Sequence, residues 1–335
     1  MVLWSALLNY LMQKKKIVVV GGGTGTYQVL TGLKKYPFDL SAVISMCDSG
    51  GSTGRLRREL GVLPPGDVRR AILALSDLPF ARKTLEDVFD FRFENGKTLA
   101  GHSLGNILLA ALVQITGSMD KAINEAARIL NASGHIFHVT LDKTNLVALL
   151  EDGTRVFGET NIDMRNFKMN VPIEKVYLSP KATIFFDAAK AIKSADIVVF
   201  GPGDLYTSLV PTLLTGGMKE ALLKSKAKVV YVVNLMTKRG ETDGFAASDF
   251  VEVFSRYLDS AVHKLSHVLV NTKINGSKNK ISSWYRRYGS APVRDDLSKA
   301  KRTKDYKVIT GDYVDNTTLY RHNPEKLAKA IIRLL

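Results

Sequence analysis

The feature that most constrains this chain is a pair of abrupt breaks from buried-strand sequence into glycine. The apolar run Ile17-Val18-Val19-Val20 stops at Gly21-Gly22-Gly23-Thr24-Gly25. The run Ala42-Val43-Ile44-Ser45-Met46 leads into Asp48-Ser49-Gly50-Gly51-Ser52-Thr53-Gly54-Arg55. A strand apolar on both faces, then glycines, then a helix, leaves bare backbone N–H groups at a positive helix end. Such a turn is an anion site, most often for phosphate. Two of them on neighbouring strands predict one ligand with a phosphate or diphosphate. It would rest on Gly22, Gly23, Thr24 and Gly25 and on the second turn, where Ser52, Thr53 and Arg55 add hydroxyl and guanidinium donors.

The rest of the chain repeats this rhythm. Helical patterns at 26–36, 56–60, 67–75, 104–112, 121–130 and 187–193 alternate with apolar runs at 197–200 and 229–233. Strands apolar on both faces predict a mostly parallel α/β sheet covered by helices on both sides, with its ligand at the carboxyl ends of the strands. The turns, Asp48, Asp204 and Asn234 all fall at that edge. Between about 139 and 175 the pattern changes to short extended pieces around Glu151-Asp152-Gly153, which predicts an inserted antiparallel β-hairpin region. Residues 16–335 read as one α/β domain and residues 1–15 as an N-terminal extension. The apolar stretch before Lys14-Lys15-Lys16 is too short to span a membrane and has the wrong charge order for a secretory signal. Met12 is the expected native start.

One cysteine, Cys47, excludes an internal disulfide and a cysteine-based metal site, as in a reducing cytoplasm. The net charge of +15 is concentrated late, with 17 Lys/Arg against 8 Asp/Glu from residue 251 onward. Aromatics are not interleaved with those cations as a base-stacking surface requires, so specific nucleic-acid binding is not expected. The 278–302 stretch reads as a polar, basic loop.

The first glycine turn is not a Walker loop, since no Gly-Lys-Ser/Thr follows, and Thr26 stands where a dinucleotide fingerprint needs its third glycine. Asp48 at a strand end keeps a ribose contact and an NAD-dependent reading open. Asp48 and Asp67 can jointly hold Mg²⁺ on phosphate oxygens, or Asp67 simply caps the helix that opens at Pro64-Pro65-Gly66-Asp67. His102 either contacts a polar ligand or serves its helix start locally. His135 and His138 point to opposite faces of a strand, so they make no metal pair.

These two turns, Pro64-Pro65-Gly66-Asp67, Gly101-His102-Ser103-Leu104-Gly105-Asn106, Gly201-Pro202-Gly203-Asp204-Leu205-Tyr206-Thr207-Ser208 and Asn234-Leu235-Met236-Thr237-Lys238-Arg239-Gly240-Glu241-Thr242 occur in order. Together they resemble the YvcK-type gluconeogenesis factors of the CofD-like (2-phospho-L-lactate transferase) superfamily, from about residue 16 to the end. The resemblance implies a cytoplasmic protein with a Rossmann-like fold that binds a nucleotide-sugar, a UDP-sugar such as UDP-N-acetylglucosamine. It also implies regulation of cell shape and cell-wall precursor metabolism, with a protein partner in that synthesis and a possible homo-oligomer. The ligand residues it implies include Ser49, Gly51, Gly66, Asn106, Gly203, Met236, Thr242 and Arg321 of an Arg-His pair before the last helix. Asn234, Thr237 and Glu241 would line the opposite side of the cleft, with Glu241 accepting from sugar or ribose hydroxyls. The transferase relatives imply the alternative, a Mg²⁺-dependent transfer of a phospholactyl-type group with Asp48 and Asp67 on the metal. Ser49, Asp204 and Thr212 depart from the family's usual residues.

Overall fold

The computed structural model describes residues 14–77, 82–96, 98–165, 171–273, 287, 289–297, 305–315 and 320–335. Residues 1–13 of the expected extension, Met12 among them, and much of the basic 278–302 stretch lie outside the described residues.

The first strand, β1 (Lys16–Gly21), is buried along almost its whole length. It leads through α1 (Gly23–Leu33) to β2 (Asp39–Ile44), then α2 (Gly51–Leu60), α3 (Gly66–Leu75), α4 (Arg82–Asp90), α5 (Leu104–Thr116), α6 (Met119–Ile129) and β3 (His135–His138). After a small sheet come α8 (Phe186–Ser194), β7 (Ile197–Phe200), a π-helical turn (Leu205–Leu209), α9 (Val210–Leu214) and α10 (Met218–Lys224). β8 (Lys228–Val232), α11 (Ala247–Leu258), β9 (Leu265–Asn271), β10 (Lys307–Gly311) and α12 (Pro324–Ile332) complete the chain. The described strands of the main sheet run in the order β10-β9-β8-β7-β1-β2-β3, all parallel.

Alternation along each strand splits the core. Val18, Val20, Val198 and Phe200 pack to one face, and Ile17, Val19, Ile197 and Val199 to the other. Helices cover both faces because neither can stay wet. The inserted region is larger than a hairpin. β4 (Asn145–Leu150), β5 (Arg155–Phe157) and β6 (Ile173–Ser179) form an antiparallel sheet in the order β5-β4-β6, with α7 (Glu159–Met164) between β5 and β6. Leu146, Ala148, Leu150 and Val176 share one buried cluster with Val18 and Val198 of the main sheet. Among the described residues no helix is long and apolar enough to cross a membrane.

The strand order places the site. From β1 the chain first builds outward through β2 and β3, then returns to lay β7 on the other side of β1. The connections after β1 and β7 therefore diverge, opening a crevice beyond their carboxyl ends.

Candidate functional site

Among the described residues, two adjoining cavities at that edge gather most of the predicted site residues. The larger, about 370 Å³, is lined by Thr24, Gly25 and Gln28 of α1, by Pro202, Gly203 and Asp204 after β7, and by Asn234, Met236, Thr237 and Lys238 after β8. Ser290, Tyr320, Arg321 and His322 close it from the C-terminal side. The smaller, about 190 Å³, is lined by Asp48, Gly50, Gly51, Ser52 and Thr53 of the second glycine turn, with Gly66, Asp67, Arg69, Arg70, Arg92 and Asn106. The two predicted turns thus open on different cavities.

They adjoin at the first turn. A Cβ on Gly22 would lie 2.4 Å from Asp67 Oδ2, and one on Gly23 3.8 Å from Arg70 Nη1, both lining the smaller cavity. Thr24 and Gly25, next along the chain, line the larger. Gly25 is required sterically, since a Cβ there would meet the Pro202 carbonyl oxygen at 2.1 Å. Gly23 takes a left-handed φ of +67°. Neither α1 nor α2 has a side-chain N-cap, so apart from the Gly23 N–H, which goes to Asp67, first-turn amides remain for other acceptors.

Asp67 does not cap α3. The N-cap position is Pro65, and the Asp67 carboxylate instead accepts from the Gly23 N–H, with Arg70 3.9 Å away. Burial, and then the neighbouring Asp48 carboxylate, push Asp67 up to about 6. Asp48 accepts from the Gly50 N–H at 3.0 Å. Glu159 of α7, which sequence reading did not single out, accepts from the Ser49 N–H at 3.3 Å. Burial and Asp48 raise Glu159 to about 7. Ser49 Oγ lies 3.1 Å from Thr160 Oγ1, facing α7. Among the described residues no three His, Cys, Asp or Glu side chains form a metal-holding group. The Asp48–Asp67 pair still fits Mg²⁺, which needs only one or two protein carboxylates when phosphate oxygens complete its shell.

Behind the smaller cavity a buried polar network fixes its wall. Ser52 Oγ lies 2.9 Å from His102 Nδ1, Asn106 Nδ2 donates to Ser52 Oγ at 3.2 Å, and Arg69 Nε donates to Asn106 Oδ1 at 3.1 Å. His102 therefore stands behind the wall and braces Ser52, and helix capping falls to Ser103, whose Oγ accepts from Asn106 N. Arg55 turns away from both cavities. Its guanidinium donates to the Ala100 carbonyl at 2.5 Å, so the expected phosphate clamp is spent on the loop before α5.

The 234–242 segment divides in two. Asn234, Met236 and Thr237 reach the larger cavity, and Asn234 Oδ1 accepts from the Gly203 N–H at 3.2 Å. Glu241 does not reach it. Its side chain is fully buried, accepting from Thr207 Oγ1 at 3.1 Å and pairing with Lys238 Nζ at 3.0 Å. Thr242 Oγ1 accepts from the Lys238 N–H. Lys238 Nζ also meets Asp163 at 2.5 Å and Asp204 at 2.7 Å. One ammonium facing three carboxylates stays protonated, with its pKa raised, while burial holds Glu241 above the usual carboxylate range. Thr212 is buried in the core with its hydroxyl on the Leu209 carbonyl, away from both cavities. Arg321 sits exposed on the rim of the larger cavity. His135 is exposed and His138 buried, on opposite faces as expected.

Comparison with known proteins agrees with this architecture. The family described as 2-phospho-L-lactate transferase CofD matches residues 17–314. A gluconeogenesis factor of Halalkalibacterium halodurans is 39% identical over 327 residues, covering 96% of this chain and 97% of that protein. One from Bacillus subtilis is 36% identical over 325 residues, covering 96% and 99%. A crystal structure of a UPF0052 family member from Bacillus halodurans superposes with a TM-score of 0.87 at 38% identity, covering 96% of this chain and 99% of the other. A parallel sheet whose switch point opens on two glycine turns, and near-full-length likeness to these proteins, together make this chain a member of the CofD-like family of gluconeogenesis factors.

Proposed function

We propose that the protein is a nucleotide-sugar-binding regulator that takes a UDP-sugar and releases it unchanged. The nucleoside occupies the larger cavity, the diphosphate crosses the α1 N-terminus at Gly22, Gly23, Thr24 and Gly25, and the sugar enters the smaller cavity. The observation that carries this reading is the meeting of two cavities at one glycine turn, which suits a ligand with a polar group on each side of a diphosphate. Main-chain amides suit the phosphates because they donate without a counter-charge to desolvate. The regulatory role in cell shape and cell-wall precursor supply, within the cytoplasm, belongs to the same reading. A calorimetric panel of UDP-sugars, GDP and NAD, with and without Mg²⁺, tests it. Binding of a UDP-sugar, recovered intact by chromatography, is the expected result, and preference for NAD with hydride exchange would overturn it.

The Asp48–Asp67 pair favours one rival, a Mg²⁺-dependent transferase of a phosphorus-linked group. Mg²⁺ would be held by those two carboxylates and would supply charge neutralisation at phosphate oxygens. Arg70 would balance the remaining charge, and the Ser52–His102–Asn106 wall would hold the acceptor half in place. Consumption of the ligand only when Mg²⁺ is present would select this rival.

A further inference from the structure

His322 stands outside everything assigned so far. It lines the larger cavity and is 6% exposed, and its Nε2 is buried with no hydrogen-bond partner among the described residues. The ring is held from its other side, where it donates to the Val233 carbonyl. An antiparallel bridge to Val314 fixes its backbone, and Asn323 directly after it caps α12. The side chain is therefore an oriented group, not a loose one.

The hydrogen bond to Val233 decides the chemistry of the open nitrogen. The nitrogen that donates to a carbonyl must carry the proton, so in the neutral ring Nε2 presents a lone pair. Burial depresses the imidazole to about 4, so the ring is neutral in ordinary buffers. A buried lone pair with no donor is a rare and unfavourable arrangement. A ligand can relieve it only by bringing an N–H or O–H. Phosphate oxygens at neutral pH are acceptors and cannot do so.

We propose that His322 Nε2 accepts a hydrogen bond from a donor on the nucleoside half of the ligand, and that it thereby sets both the ligand's direction in the cleft and its selectivity. This inference rests on the nucleotide-sugar reading above. The acceptor at His322 turns the diphosphate away toward the amides of α1 and demands either a ribose hydroxyl or a base N–H at its own end. A site built to accept from such a group discriminates strongly against analogues that lack it.

The test is a calorimetric cycle on the full chain. UDP, 2′-deoxy-UDP, 3′-deoxy-UDP and N3-methyl-UDP are titrated into the native protein and into His322→Asn, whose amide can keep the Val233 contact while deleting Nε2. The expected result is that one analogue binds the native protein about tenfold more weakly than UDP, and that His322→Asn binds that analogue and UDP within twofold of each other. The analogue that loses affinity tells a ribose hydroxyl from a base N–H. A purely structural role for His322 would lower all four affinities together and leave their ratios unchanged, and that outcome overturns the inference. Equal binding of all four ligands to the native protein also overturns it, as expected if a water satisfies Nε2. If no nucleoside diphosphate binds the native protein, the nucleotide-sugar reading falls and the inference with it. Should His322→Asn fail to fold, His322→Phe fills the ring volume without an acceptor and is read in the same way.

Discussion

The two cavities share an edge but are built from opposite materials. The larger is bounded by main-chain amides, Asn234, Thr237 and a neutral His322, its Asp204 and Lys238 paired with each other and Arg321 exposed on its rim. The smaller crowds carboxylates together: Asp48 and Asp67 press against each other and Glu159 crowds Asp48, with Arg70 3.9 Å from Asp67 and Arg69 drawn off to Asp90. The larger cavity can therefore select by hydrogen-bond pattern, whereas the smaller selects by charge. The difference also appears in stability. Neutral amides settle quietly in a fold, but a carboxylate held beside another carboxylate is a standing cost that persists where a site needs it.

The largest expected effect comes from the partition itself. Gly25→Ala would drive a methyl into the Pro202 backbone, costing about 3 kcal/mol in urea unfolding and collapsing the larger cavity. Gly32→Ala is the control, because its Cβ would meet the Pro324 carbonyl at 2.1 Å, between α1 and α12 and remote from either cavity. Comparable destabilisation with ligand affinity kept in Gly32→Ala, but lost in Gly25→Ala, would sharpen the contrast.

Lys238→Met probes the neutralised side. It strands Glu241 in the interior without its cation, and should lower stability by about 3 kcal/mol at pH 8. The loss should shrink toward pH 5, where Glu241 takes up a proton. A pH-independent loss would mean that Lys238 acts through packing alone.

Asp67→Asn probes the charged side, with the opposite sign. Asp67 titrates near 6 in the fold against about 4 when unfolded. It is protonated in both states below pH 4 and ionised in both above pH 6. The cost of ionising it in the fold is therefore absent at low pH, grows through that window and is complete at pH 8. Asp67→Asn should be more stable than the native protein by about 2 kcal/mol at pH 8 and equal to it near pH 4. Destabilisation at pH 8 would show that its bond to Gly23 outweighs its repulsion from Asp48.

The smallest effects separate residues that face the smaller cavity from those that merely adjoin it. Thr53→Ala should weaken UDP-sugar binding by about 1 kcal/mol in calorimetry. Arg55→Ala should change it by less than about 0.5 kcal/mol while loosening the loop at Ala100, measurable by amide exchange. A larger binding loss in Arg55→Ala than in Thr53→Ala would return Arg55 to the ligand.

Much of the architecture was legible in the chain. Runs such as Ile197–Phe200, buried on every residue, can only be interior strands of a parallel sheet. Asn323-Pro324 is a cap and first-turn pair readable in the chain, and Asn323 Oδ1 accepts from Glu325 and Lys326 N–H as that pattern requires. The site was legible as a set of loops but not as a geometry. Arg55 carries the right donor for a phosphate, yet helical phase turns it to Ala100. Glu241 carries the right acceptor for a hydroxyl, yet the fold buries it under Lys238 and Thr207. Glu159 had no local signal at all, since it reaches Ser49 only because α7 of the inserted region packs against the second glycine turn.

Period-two burial and glycine placement are properties of neighbouring residues, so the sequence by itself determined the parallel sheet, its ligand-bearing edge and the two turns that open on it. Which side chains face the cleft depends on contacts between residues far apart along the chain, such as Arg55 with Ala100, Thr207 with Glu241 and Ser49 with Glu159. Tertiary structure alone therefore divided that edge into two cavities, one crowded with carboxylates and one lined mainly by hydrogen-bonding groups, and left His322 Nε2 without a partner among the described residues.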